Sequence, residues 1–266
     1  MRINTLLASS LLASALTSVT SFAEPLSLSA LENVLGAESR PAADSKRDAA
    51  RKPAQIMKFA EVSEGDHVLD LFAGGGWYTE LFSIAVGSEG KVYAQNDEVI
   101  WRFAEKRIKE RTKNNRLANV ERFDQIAIAD VNVPDNSVDL VFTALNYHDL
   151  FFTHTVRDGK KVVLRPNGAV DYKKALAKLK RVLKDDGVIV IIDHHAEPGS
   201  GYEAANTIHR IDANIVKHQL AEAGFTLVEE AFYLTNPNDD LSKNVFAADT
   251  RGKTDRFIYK FVKAKS

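Results

Sequence analysis

Four places in the sequence bring reactive or ligand-holding side chains together. Asp70 precedes Phe72-Ala73-Gly74-Gly75-Gly76, an acid followed by a glycine turn. Glycine lets a ligand approach the backbone closely, and a helix opening there offers free N–H groups. Asn96 and Asp97 form a second place, able to hydrogen-bond hydroxyls or to cap a following helix. The third is Asn146-Tyr147-His148-Asp149. An imidazole with an ordinary pKa of about 6.5 is suited to taking a proton at neutral pH, so His148 is the first candidate for a general base. Asp149 either orients it or caps a helix. The fourth is Asp193-His194-His195, where neighbours leaving a strand point apart, so only one of the two histidines is expected in a shared cleft. The chain has no cysteine, which excludes a disulfide scaffold, a thiolate zinc site, an iron–sulfur cluster and a cysteine nucleophile. Any metal would rest on His, Asp, Glu or Asn.

These residues need strands and helices to position them. Short apolar runs over 67–72, 91–95, 120–123, 138–144 and 188–193 read as strands. Helical periodicity over 77–86, 97–114, 170–184 and 205–223 separates them. Runs over 225–233 and 256–262 close the chain as two further strands with no clear helix between them. Alternation of strand and helix predicts a parallel, doubly wound α/β sheet, here seven-stranded and Rossmann-like, with an antiparallel C-terminal hairpin. Ligands of such sheets bind beyond the strand carboxyl ends, where all four places fall. Segments 146–169 and 194–202 are long for their positions. The first, carrying Arg157, Lys160, Lys161 and Arg165, reads as a substrate cover or as plain exposed loop. Residues 44–62 read as a helix in two pieces, because Pro53 suits a first helical turn.

The chain has 266 residues, with 35 Lys+Arg against 36 Asp+Glu. This balance gives no hint of a nucleic-acid partner. Arg2 is the only charge before Glu24, an apolar run extends to Val19, and Ser21-Phe22-Ala23 offers a small-residue cleavage site. That is the pattern of a secretory signal over 1–23, so export to the periplasm or medium is expected. Residues 24–62 then form an N-terminal arm with helices, and 63–266 one catalytic domain. No later run of about 20 apolar residues follows, so no membrane attachment is expected after cleavage.

A dinucleotide fingerprint would want glycine at position 79, where Thr79 stands. The segment Val68-Leu69-Asp70-Leu71-Phe72-Ala73-Gly74-Gly75-Gly76 resembles motif I of the class I S-adenosylmethionine-dependent methyltransferases instead. Pro134 to Val141 is similar to that family's entry into strand four, and Leu179 to Asp193 to its helix, glycine turn and strand five. The leader Arg40-Pro41-Ala42-Ala43-Asp44, the Asn146 to Asp149 segment, Asp193-His194-His195, Gly199-Ser200-Gly201 and His209-Arg210 resemble a group of signal-peptide-bearing bacterial predicted methyltransferases.

The resemblance implies S-adenosylmethionine as cofactor and a small-molecule methyl acceptor. It implies that Asp70, Phe72, Ala73 and Gly74 to Gly76 hold the cofactor's amino-acid end, and that Asn96 or Asp97 meets its ribose. Asp124 is the nearest acid to the adenine. Asn146, His148, Asp149 and His194 fall near the transferred methyl, with His148 as base. Trp77 and Tyr78 are expected as core or pocket wall. His209 and Arg210, near the start of a helix, are expected to hold an anionic substrate group or a surface salt bridge. No resident metal is expected. Two alternatives stay open: a ligand-binding protein that has kept this fold without catalysis, and a metal-dependent hydrolase using His148, Asp193 and His194.

Overall fold

The computed structural model describes residues 24–265. The expected secretory signal lies outside them. Four helices come first: α1 (Leu28–Leu35), α2 (Ala42–Ser45), α3 (Asp48–Arg51) and α4 (Pro53–Phe59). The break before Pro53 falls at Lys52, whose φ is 45°. Then β1 (His67–Asp70), α5 (Trp77–Val86), β2 (Lys91–Asn96), α6 (Glu98–Arg111), β3 (Val120–Asp124) and β4 (Val138–Ala144) alternate as expected. A two-stranded hairpin follows, β5 (His154–Arg157) and β6 (Lys160–Val163). After α7 (Tyr172–Val182) come β7 (Leu183–His194), α8 (Glu203–Thr207), α9 (Ala213–Glu222), β8 (Phe225–Ala231) and β9 (Arg256–Lys263).

The main sheet has seven strands in the order β3-β2-β1-β4-β7-β9-β8. Strands β1 to β4 and β7 pair in parallel, as Leu69 with Val141 and Phe142 with Val190. β9 runs antiparallel between β7 and β8, as the C-terminal pattern predicted. Apolar side chains alternate between the two faces. Ile189 and Ile191 enter a core with Leu176 and Leu179 of α7 and Val216 and Leu220 of α9. Val188, Val190 and Ile192 enter the opposite core with Leu31, Ile56, Tyr78 and Phe82. The segment read as an arm therefore carries a helix, α1, that is part of a core.

Two expectations need correction. The helix over 205–223 is broken into α8 and α9, because Arg210 turns inward and is fully buried. It forms a fork on Asp239 (2.7 and 3.1 Å) and donates to the carbonyls of His195 and Lys243. A continuous helix would not deliver it there. The segment 146–169 holds β5 and β6, joined by Asp158-Gly159 with φ of 50° and 71°. An Asp-Gly pair between β-branched residues is the signal for such a hairpin.

Glu80 of α5 has no exposed surface. Arg116 donates to both its oxygens (2.6 and 2.9 Å), and Arg111 donates to it as well. Arg111 also reaches Asp44 (2.7 Å), so α5, α6 and the N-terminal helices meet on one ion cluster. Breaking such a buried cluster by removing one partner costs about 3–5 kcal/mol. Glu80→Ala is expected to lose roughly that much in urea unfolding. A loss below about 1 kcal/mol would show that the cluster is merely a surface pair.

Candidate active site

The glycine turn has few hydrogen bonds of its own, and neighbouring elements supply the rest. Phe72, at φ 47°, donates its N–H to Gln95 Oε1 (3.0 Å), while Ala73 N–H reaches the Gln95 carbonyl (2.9 Å). Gly74 N–H donates to Asn96 Oδ1 (2.8 Å), and Asn96 Nδ2 returns to the Gly74 carbonyl (3.2 Å). Asn146 Nδ2 donates to the Phe72 carbonyl (2.7 Å), and Arg111 Nε to the Gly75 carbonyl (2.7 Å). Gly76 sits at φ 77°, and a Cβ there would lie 2.5 Å from Ile108 Cδ1. Both the backbone and the packing against α6 therefore require glycine.

Asp70 ends β1 and is buried. The Thr79 hydroxyl donates to its Oδ2 (2.6 Å), so the residue that departs from a dinucleotide fingerprint serves the acid instead. Burial pushes the Asp70 carboxyl up to about 7, against the Thr79 hydrogen bonds that favour its charge. Asp97 caps α6, accepting from Val99 and Ile100 N–H (3.0 and 2.9 Å), and its other oxygen takes Arg165 (2.6 Å). Arg165 belongs to the 146–169 segment, which is thereby latched to the end of β2. Asn96 is committed to Gly74. Asp124 Oδ1, at the end of β3, is buried with no hydrogen-bond partner among the described residues.

Beyond β4, the His148 ring is held from one side by Asp193, with Nδ1 2.9 Å from Oδ1. Asp193 also accepts the His148 backbone N–H (2.7 Å). Nε2 lies 3.6 Å from Asp149 Oδ1. Burial opposes a charge on His148, but the carboxylates of Asp193 and Asp149 outweigh it and push its pKa up to about 9. Asp149 is pushed up to about 6 by burial. His194 turns to the opposite face of the sheet, beside Val190 and Ile192, and its Nδ1 meets Thr254 Oγ1 (2.7 Å). Burial, with His148 and Arg256 nearby, keeps it well below the usual histidine range and neutral.

The His194 ring is 6.2 Å from that of His148, and His209 lies beside His148 as well. It sits in the break between α8 and α9 at φ 56°, with its ring 5.6 Å from that of His148 and between Phe152 and Phe246. Burial lowers its pKa to about 4. The donor atoms of His148, Asp149 and His209 all lie within 4.8 Å of one another, a spacing that admits a cation. The set His148, Asp193 and His194 does not converge in this way. The structure thus gathers Asp70, Gly74 to Gly76 and Asn146 at the carboxyl ends of β1 and β4, with His148 and Asp149 beyond β4. Asn96 braces the turn and Asp97 caps α6. Sequence reasoning passed over Gln95, although a glutamine closing an apolar strand was the available signal.

This sheet order, with an acid and glycine turn after β1, defines the class I S-adenosylmethionine-dependent methyltransferases. The chain belongs to the methyltransferase domain family, whose pattern matches residues 62–240. An S-adenosylmethionine-dependent methyltransferase from Aquifex aeolicus aligns with a TM-score of 0.55 and 22% identity, covering 89% of this chain and 99% of that one. A putative type 11 methyltransferase from Sulfolobus solfataricus has a TM-score of 0.50 and 20% identity over 81% of this chain and 94% of its own. A putative methyltransferase from Haloferax volcanii, solved in complex with the Trm112 methyltransferase activator, has a TM-score of 0.52 and 15% identity, covering 84% of this chain and 96% of its own. No curated protein matches the chain. S-adenosylmethionine is the cofactor, and the donor set fits it. The Asp70 carboxyl suits an ammonium group, the start of α5 offers N–H groups to a carboxylate, and the orphan Asp124 Oδ1 suits an amine.

Asp70 is a carboxylate only above about pH 7, so its attraction for an ammonium group grows through that range. Calorimetry is expected to show the affinity for S-adenosylhomocysteine rising several-fold between about pH 6 and pH 8. The rise is expected to vanish in Asp70→Asn. A flat wild-type profile would remove Asp70 from the cofactor's amino-acid end.

Proposed function

We propose that the protein transfers the methyl group of S-adenosylmethionine in line to a small-molecule acceptor, with His148 as general base. The observation that carries this reading is the His148–Asp193 pair just beyond β4. Asp193 fixes the ring through Nδ1 and leaves Nε2 for an acceptor hydroxyl. The carboxylate also stabilises the imidazolium that forms when the proton arrives. His148 is charged at neutral pH, so its neutral form is the minor and active one. Asp149 faces Nε2 and helps to orient both ring and acceptor. Asp70 and the glycine turn hold the cofactor so that its methyl points at the acceptor; alignment of this kind supplies much of the rate. The ribose lies against Asn96 and Asp97, whose side chains already brace the turn and cap α6. Residues 1–23 carry the secretory pattern, which places the enzyme outside the cytosol in this reading. No described helix is long and apolar enough to cross a membrane.

The binding-protein alternative makes a different forecast for the same residues. Under catalysis, His148→Ala retains S-adenosylhomocysteine binding and loses about 10²–10⁴-fold in turnover. Asp70→Ala loses binding itself. The first readout is the thermal midpoint of residues 24–266 with and without S-adenosylhomocysteine. A folded-state ligand at a hundredfold excess over Kd stabilises by about 2.7 kcal/mol. No shift in the wild type at millimolar ligand would end the methyltransferase reading.

A further inference from the structure

Three polar groups beyond β4 face one another without a hydrogen bond among the described residues. His148 Nε2 lies 3.6 Å from Asp149 Oδ1, beyond hydrogen-bond reach. A proton on Nε2 is therefore not shared with that carboxylate. The Asp149 side chain accepts no other hydrogen bond there, although the residue is 7% exposed; Arg165 reaches its main-chain carbonyl instead (3.2 Å). The His209 ring is held by rings alone, with its centroid 5.6 Å from that of His148, 4.6 Å from Phe152 and 4.9 Å from Phe246. One donor atom from each of His148, Asp149 and His209 lies within 4.8 Å of the others. A buried carboxylate left unpaired is costly, so this convergence calls for a cation larger than a proton.

The support that a metal-bound histidine needs is already in place. Asp193 has no exposed surface and accepts from the His148 ring at Nδ1 (2.9 Å) and from the backbone N–H groups of His148 and His194 (2.7 and 2.8 Å). It keeps a hydrogen on Nδ1 and aims the Nε2 lone pair away from itself, the carboxylate–histidine–metal arrangement. His209 is pinned from the next position along the chain, where Arg210 forks onto Asp239 (2.7 and 3.1 Å). Ligands about 2.0–2.2 Å from a tetrahedral zinc ion lie roughly 3.4 Å apart. The Nε2 to Oδ1 separation of 3.6 Å nearly meets that value. A side-chain shift of roughly 1 Å in half-buried His209 closes the rest.

We propose that His148 Nε2, the Asp149 carboxylate and His209 bind a divalent transition-metal cation of the zinc type. Two imidazoles and one carboxylate favour Zn²⁺ or Co²⁺ over Mg²⁺, which takes oxygen ligands. The two carboxylates around the His148 ring, Asp149 and Asp193, match the cation's two charges. Three protein ligands leave a fourth position for water. The site itself stands on geometry, and its consequence rests on the methyl-transfer reading. Nε2 is the atom that receives the acceptor's proton in that reading, and a lone pair given to a metal is withheld from a proton. Cation and acceptor thus compete for one atom, and the metal-bound chain is a resting form that a chelator releases.

The test uses the full chain, stripped with a chelator and dialysed, then titrated with Zn²⁺ by calorimetry and with Co²⁺ by visible absorption. One equivalent of Zn²⁺ is expected to bind with a micromolar or tighter Kd, and Co²⁺ to give the intense bands of a four-coordinate ion. His209→Gln and Asp149→Asn are each expected to weaken Zn²⁺ binding by about tenfold or more. Their metal-free thermal midpoints are expected to stay within about 3 °C of the wild type, which separates lost ligands from lost folding. His218→Ala, at an exposed histidine, is expected to leave the affinity unchanged. Absence of a stoichiometric site at submillimolar Zn²⁺ overturns the proposal. So does binding that survives both His209→Gln and Asp149→Asn, or Mg²⁺ binding as tightly as Zn²⁺. If Zn²⁺ binds through these residues but S-adenosylhomocysteine does not bind at all, the methyl-transfer reading falls and the metal site stands. The opposite pair of results ends the metal site and leaves that reading intact.

Discussion

A loop that must meet a ligand with its own backbone cannot also satisfy that backbone internally, and the turn after β1 lives under this constraint. Its polar groups are buried, and each unpaired one would cost about as much as a lost hydrogen bond. Gln95 and Asn96 resolve this by turning the end of β2 into a scaffold, with side chains and one carbonyl bound to Phe72, Ala73 and Gly74. Asn146 and Arg111 complete the set from β4 and α6. Parallel pairing of β1 with both β2 and β4 places these donors and acceptors beside the turn. The sheet order and the glycine turn are thus one arrangement.

Charge is sorted by sheet face. Asp193 and His148 lie on the side that packs against α7 and α9, where a carboxylate steadies an imidazolium. His194 and Arg256 lie on the side of the N-terminal helices, where a neutral imidazole accompanies cations. Adjacent residues of one strand therefore serve opposite electrostatic environments.

The strands, most of the helices and the acid-glycine turn were legible in the sequence because each is a local pattern. What was hidden depends on distant partners. Nothing near Asn96 indicates that its carboxamide is committed to Gly74, 22 positions earlier. The break at His209 follows from Arg210 seeking Asp239, 29 positions later, and helical periodicity across 205–223 conceals it. The β5–β6 hairpin is different: Asp158-Gly159 was a readable signal, obscured by reading the whole segment as a cover.

Lys260 of β9 donates to Glu61, which follows α4, across 199 positions of chain at 3.0 Å. The N-terminal helices also lean on α6 through Arg111 and Asp44. Contacts of such long sequence separation are slow to form, because loop-closure entropy is lost before they reward it. The first helices to leave the ribosome must therefore wait for the last strand. A chain lacking β9 leaves Glu61 without Lys260, and the N-terminal helices without that tie to the sheet.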